Sequence, residues 1–315
     1  MGRSHQERLI LTPAVAGAGG YSTVNQLVLA NLALFVAMIS VQSGAALAHQ
    51  LFPSMGAAGT ACARVSIAAI MLWIVWRPWR LPISKSAFIA VAGYGLALGF
   101  MNLMFYGSLT RIPLGIAVAL EFVGPLTMTL FSSRRWTHLL WTALAALGLF
   151  ILVPAAVTST PLDPIGAGLA LGAGCAWAAY ILIGSRVGRL LPTGQASALG
   201  MAFAALAVLP FGVTLNGSSM IQSKLWPIAI LVAFMSSALP YTLEMVALRR
   251  LSPRTFGILM SLEPAFGTLA GAIMLQQFLS IKQMLGVACI SMASIGSTAT
   301  DSAGKVTTKV KNDLN

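Results

Sequence analysis

Apolar residues run along this chain in stretches of close to twenty, separated by short polar, basic or proline-containing intervals. A hydrocarbon core takes about 20 helical residues to cross, and the ten-residue alternation of a spanning β-barrel strand is missing. With no water at that depth each segment must satisfy its own backbone, so each run predicts a helix. The pattern places helices near 26–48, 56–76, 86–109, 113–131, 136–154, 164–187, 195–213, 226–249, 252–275 and 280–299. The third-to-fourth and eighth-to-ninth connections are very short, which predicts antiparallel hairpins. Residues 1–25 form a polar, glycine-rich N-terminal segment and residues 300–315 a lysine-bearing tail. The first apolar run is too long for a signal-peptide core and lacks a clear cleavage pattern, so it reads as a retained helix. The fold class expected is an all-α integral membrane protein of ten transmembrane helices.

Composition excludes a soluble domain. Hydrophobic residues make up 57% of the 315 positions and charged residues 8%, about a third of the soluble norm. The net charge of +12 does not point to nucleic acid, because the basic residues collect between apolar runs instead of on one amphipathic element. Of 19 Lys and Arg, 15 fall on one side if the connections alternate: Arg3 and Arg8; Arg77, Arg80 and Lys85; Arg134 and Arg135; Arg186 and Arg189; Arg249, Arg250 and Arg254; Lys305, Lys309 and Lys311. The other side receives Arg111, Lys224 and Lys282, and Arg64 stays inside the second helix. An extra or missing helix would scramble that split, so it predicts ten spans with both termini cytoplasmic.

An internal repeat is also visible. Phe105-Tyr-Gly-Ser-Leu-Thr-Arg-Ile-Pro113 joins the third and fourth helices, and Glu244-Met-Val-Ala-Leu-Arg-Arg-Leu-Ser252 stands 139 residues later at the eighth-to-ninth junction. The same offset carries Pro125 onto Pro264. Five helices per half is odd, so the halves, 26–154 and 164–299, are expected to be inverted repeats, with binding near the midplane where they meet.

Four ionisable residues fall inside spans: Arg64, Glu121, Glu244 and Glu263. A charge at the bilayer centre costs about 2.5–3.5 kcal/mol on insertion scales, so such residues face a partner or a watered cavity. Pairing Arg64 with one glutamate leaves two carboxylates over. Burial disfavours an ionised carboxyl, the property a proton-coupled carrier needs. Proline adds to this by leaving the carbonyl four residues earlier without its helical donor. Pro125 frees the carbonyl of Glu121, Pro264 that of Met260, and Pro240 that of Ser236. Irregular backbone at membrane depth is tolerated inside protein or beside water.

Around these lie Gln42, Asn102, Tyr106, Trp177, Tyr180 and Tyr241, with Tyr241/Glu244 and Trp177/Tyr180 each sharing a helix face by their spacing of three. Singly, each serves interhelical packing or hydrogen bonding equally well. Together they suit a zwitterion, with carboxylates for an ammonium and Arg64 for a carboxylate. Gly95/Gly99, Gly168/Gly172 and Gly267/Gly271 are read as close-packing positions, and Cys62, Cys175 and Cys289 as small buried packing residues. His5, His49 and His138 lie near helix ends or outside the spans, so no metal or haem site is expected. No Walker A, H-E-x-x-H or G-x-S-x-G pattern points to catalysis.

Several segments resemble a known family. Pro113-Leu-Gly-Ile-Ala-Val-Ala-Leu-Glu-Phe-Val-Gly-Pro-Leu126, Phe131-Ser-Ser-Arg-Arg135, Leu169-Ala-Leu-Gly-Ala-Gly-Cys-Ala-Trp177, Ala238-Leu-Pro-Tyr-Thr-Leu-Glu-Met245 and Arg254-Thr-Phe-Gly-Ile-Leu-Met-Ser-Leu-Glu-Pro-Ala265 are similar to the EamA-type drug/metabolite transporters, among them the bacterial threonine/homoserine exporters. The resemblance runs from about residue 30 to 300. It implies ten helices, an inner-membrane location and efflux of small amino acids in exchange for protons, with no cofactor. The roles expected are proton coupling at Glu121 and Glu263, and substrate binding at Glu244, Arg64, Gln42, Asn102, Tyr106, Trp177, Tyr180 and Tyr241. Export of another metabolite or a cationic drug is the rival transport reading. A non-transporting scaffold or a membrane-embedded enzyme is the rival from another class.

Overall fold

Helices form where the hydropathy runs require them. A computed structural model describes residues 18–80, 82–132, 136–152, 162–220, 223–248 and 259–296. In it α1 spans Ala18–His49, α2 Phe52–Trp76, α3 Lys85–Leu109, α4 Leu114–Ser132 and α5 Trp136–Leu152. The second half holds α6 (Pro164–Leu190), α7 (Thr193–Met220) and α8, which runs as Trp226–Ala233, a π-helical turn Phe234–Ala238 and Leu239–Leu248. The last two are α9 (Glu263–Leu275) and α10 (Ile281–Gly296). Among the described residues six helices are long and apolar enough to cross a membrane, and α4, α9 and α10 contain shorter apolar stretches. The chain is an all-helical, multi-pass membrane protein. Large apolar side chains such as Ile70, Ile74, Phe150 and Ile273 point outward, as they must where lipid is the solvent.

Helix starts are chemically marked. Ser84 caps α3 by accepting from the Ala87 N–H at 3.2 Å. Asp163 caps α6 by accepting from the Gly166 N–H at 2.8 Å, with Pro164 at the first helical position. Arg111 donates to the same carboxylate at 3.0 Å. First the Gly166 N–H and then the guanidinium hold Asp163 below the usual carboxylate range.

Boundaries differ from expectation where a helix outlasts its apolar run. α1 begins at Ala18 instead of near 26, and α7 continues to Met220 instead of 213, because adding residues to an existing helix is easy. Both α2 and α7 break helical geometry where they touch. Gly56 takes φ 65° and Asn216 φ −141°, and a Cβ on Gly56 would collide with the Asn216 amide. The expected start of the second helix at 56 coincides with that kink. The eighth-to-ninth hairpin lies outside the described residues.

The interior is built largely of alanine, so helices approach closely. The main pairings are α2 with α7, α3 with α6 and α7, α4 with α6 and α9, and α1 with α8 and α9. Gly95 and Gly99 abut α7 at Gly200 and Ala204, and Gly267 and Gly271 abut Val118 and Leu114. Gly168 departs from the expected packing role, since nothing stands within 4 Å of where its Cβ would be. The tightest crossing is instead α4 on α6, where a Cβ on Gly124 or Gly174 would overlap the backbone of the other helix. The cysteine expectation is likewise corrected. Cys62 is buried and Cys289 partly so, but Cys175 is exposed on the perimeter, where a thiol's small apolar body is as compatible with lipid as with a core.

Candidate functional site

Arg64 sits in the middle of α2 with 7% of its surface exposed. It forms no ion pair among the described residues, the expected pairing with a glutamate being replaced by neutral acceptors. One Nη donates to Asn102 Oδ1 on α3, and the other to the backbone carbonyl of Ser236 on α8 at 2.8 Å. The ring of Tyr106 lies 5.2 Å from the guanidinium carbon, a cation–π contact that holds the plane. Asn102 is steadied in turn by donating to the Leu98 carbonyl at 2.8 Å.

Pro240 opens the carbonyl of Met235, one residue before the expected Ser236, because the helix there runs in π-register. In the π-helical turn the Leu239 N–H donates to the Phe234 carbonyl. Continuing that register, the Met235 carbonyl would need the N–H of residue 240, which is proline and has none. A side chain from the first half replaces it: Ser40 donates to the Met235 carbonyl at 2.6 Å, next to the Ser236 carbonyl that Arg64 takes. Gly44 lets α1 come close enough, since a Cβ there would stand 2.7 Å from that of Ser236.

Pro264 acts more drastically than expected. It does not loosen one carbonyl inside a continuous ninth helix. The chain turns at Ser261 and Leu262, and α9 starts at Glu263 with Pro264 in its first turn. A proline cannot supply the N–H a continuing helix needs, but it fits a helix start. Glu263 therefore stands at a helix N-terminus, where the macrodipole favours negative charge, and accepts from Gln42 Nε2 at 3.0 Å. Pro125 does stay within α4, and the Glu121 carbonyl faces Gly174.

All ten residues singled out from the sequence line one cavity of about 540 Å³: Gln42, Arg64, Asn102, Tyr106, Glu121, Trp177, Tyr180, Tyr241, Glu244 and Glu263. Phe122 meets Trp177 edge-on at 4.8 Å and fixes its ring. Tyr180 stacks on Tyr94 at 4.5 Å and accepts a hydrogen bond from its hydroxyl at 2.8 Å. Five buried polar atoms on the cavity wall have no hydrogen-bond partner among the described residues: Gln42 Oε1, Arg64 Nε, Tyr106 Oη, Glu121 Oε1 and Glu263 Oε2. No group of His, Cys, Asp and Glu among the described residues could hold a metal ion.

Ser40, Tyr94, Phe122 and Ser294 belong to the site or its support and do not stand out in the sequence. Tyr94 carried a usable signal, being in step with Asn102 and Tyr106 at multiples of four. Ser236 was marked through its carbonyl alone. The hydroxyl of Ser40 carried none.

The model of the EamA-like transporter family matches residues 164–299. The threonine/homoserine exporter RhtA of Salmonella typhimurium (strain LT2) is 46% identical over 270 residues, covering 85% of this chain and 91% of the relative. RhtA of Escherichia coli (strain K12) is 46% identical over 268 residues, covering 85% and 90%. A solved crystal structure of a protein superposes with a TM-score of 0.58 at 19% identity, covering 88% of this chain and 98% of the other, which shows likeness of fold alone. Near-full-length similarity at that identity and the match in the second half agree: the chain belongs to the EamA-like transporter family, alongside the exporters called RhtA.

Proposed function

We propose that the chain is a secondary transporter exporting small amino acids of the threonine/homoserine kind across the bacterial inner membrane, in antiport with protons. One observation carries the reading. Three carboxylates and one guanidinium, none of them in an ion pair among the described residues, face a single cavity. A scaffold has no use for that arrangement, whereas a carrier of a zwitterion needs both signs of charge within reach. The relatives' names add the substrate class.

The two-repeat organisation, 26–154 and 164–299, is supported by the cavity wall itself. At the offset of 139, Val41 meets Tyr180, Gln42 meets Ile181, Met101 meets Pro240, Asn102 meets Tyr241, Phe105 meets Glu244 and Glu121 meets Met260, and all twelve line the cavity. The helix pairings behave likewise. Shifting by five exchanges α1–α8 with α6–α3 and α4–α6 with α9–α1, and leaves α2–α7 and α4–α9 unchanged. Orientation with cytoplasmic termini rests on the basic-residue split. The alternation of connections behind that split is supported by two bridges between connections it assigns to the same face: Arg111 to Asp163, and the Gln277 side chain to the Leu114 N–H at 3.0 Å.

In this mechanism Glu121 or Glu263 takes a proton from the outer side and releases it inside, and its ionised form holds the substrate ammonium. The test is counterflow of labelled threonine in proteoliposomes with a pH gradient imposed and then collapsed. Glu121→Gln and Glu263→Gln should each fold and lose exchange. Gradient-driven flux that persists at the wild-type rate in both variants ends the proposal.

A further inference from the structure

The unpartnered atoms of the cavity sort by chemistry in a way that goes beyond a general affinity for small solutes. Glu121 Oε1, Glu263 Oε2 and Gln42 Oε1 are acceptors. The Gln42 assignment is tied down because its amide nitrogen is spent on Glu263 Oε1. Arg64 Nε is a donor only, and the Tyr106 hydroxyl can donate. Three acceptors and two donors match an α-ammonium with its three N–H groups and an α-carboxylate. Buried polar atoms left without partners are costly, so a site built this way gains most from a ligand that satisfies the whole set.

We infer that the cavity reads the complete α-amino-acid head group, with Glu121, Glu263 and Gln42 taking the ammonium, and the Arg64 Nε–H and Tyr106 hydroxyl taking the carboxylate. The inference rests on the amino-acid reading above and assigns its specificity. The two sets are held apart by their supports. Arg64 is pinned by Asn102, the Ser236 carbonyl and the Tyr106 ring, which leaves its Nε edge free, and Gln42 is pinned to Glu263 at 3.0 Å. Tyr106 is fully buried, so its hydroxyl has no bulk water to fall back on. The Glu244 carboxylate, on the same wall, stands outside both sets. Recognition of the head group is therefore strict.

The experiment is competition against labelled threonine counterflow by purified full-length protein in proteoliposomes. Competition by unlabelled threonine is the reference. Threonine methyl ester, lacking the carboxylate, and N-acetylthreonine, lacking the ammonium, should each compete at least about tenfold less well, the loss expected when a hydrogen bond to a charged group is removed. Tyr106→Phe should raise the apparent KM for threonine about tenfold and leave the already weak competition by the methyl ester unchanged. Strong competition by either masked analogue overturns the head-group assignment, and so does a Tyr106→Phe effect of equal size on threonine and its ester. In both cases threonine flux itself persists and the export reading stands. Absence of threonine counterflow in the wild type would instead sink the export reading and this one together.

Discussion

Ser40 and Pro240 form a single local arrangement in which an N–H missing from one helix is made good by a side chain from another, beside the carbonyl that Arg64 takes. Replacing Ser40 with Ala strands the Met235 carbonyl at membrane depth. Interhelical hydrogen bonds in bilayers average about 0.6 kcal/mol because alternative partners are usually at hand. Here the neighbouring donor is a proline, so a loss of about 1–2 kcal/mol is expected, measured by denaturation in mixed micelles. Pro240→Ala tests the same arrangement from the other side. A restored N–H competes with Ser40 for the Met235 carbonyl, so Ser40→Ala should cost less in a Pro240→Ala background. Additive losses in that double-mutant cycle would show that the proline is incidental.

Helices cross at very different closeness, and the glycines separate the cases. A methyl added at Gly124 or Gly174 meets backbone, which cannot swing aside. Either change to Ala should therefore destabilise by about 1–3 kcal/mol through overpacking. Gly168→Ala meets nothing and should be neutral or stabilise by up to about 1 kcal/mol through helix propensity. Thermal unfolding in detergent ranks all three variants. From sequence, Gly168/Gly172 looked like the packing pair and Gly124 did not, since spacing reports a shared face but not which face meets a neighbour. The long helices were legible for a simpler reason: a run of twenty apolar residues has few other fates. The break before α9 was half legible, because Pro264 announces a disturbance and the partner contacts decide whether it is a kink or a stop. Charged members of the candidate site were conspicuous because carboxylates and a guanidinium stand out in an apolar run. Ser40 was invisible because its acceptor lies 195 residues away.

For the whole molecule, the Arg111–Asp163 pair joins the connection after α3 to the start of α6, and so ties the first half to the second at one face. Asp163 titrates below the ordinary carboxylate range because its ionised form accepts from Gly166 and Arg111. Its contribution is thus fully present above the ordinary range and lost as pH falls through its own lowered value. Hydrogen-exchange protection of the first turn of α6, corrected for intrinsic rates, should drop on acidification through that window. Asp163→Asn should remove the step while keeping much of the cap, because Asn caps nearly as well. A step that survives in Asp163→Asn would assign it to another group.

The order in which the ribosome delivers these segments gives the buried guanidinium a history. Arg64 enters the bilayer with α2. Asn102 follows 38 residues later, but the Ser236 carbonyl comes only after 172. At about 5–20 residues per second, the charge waits roughly ten to thirty seconds for the contact that completes its fork. During biogenesis α2 must therefore be sheltered by the insertion machinery or held near the headgroups. Nascent chains arrested before α8 should be recognised by membrane quality control through this one side chain, and Arg64→Leu should let the same truncated chains escape.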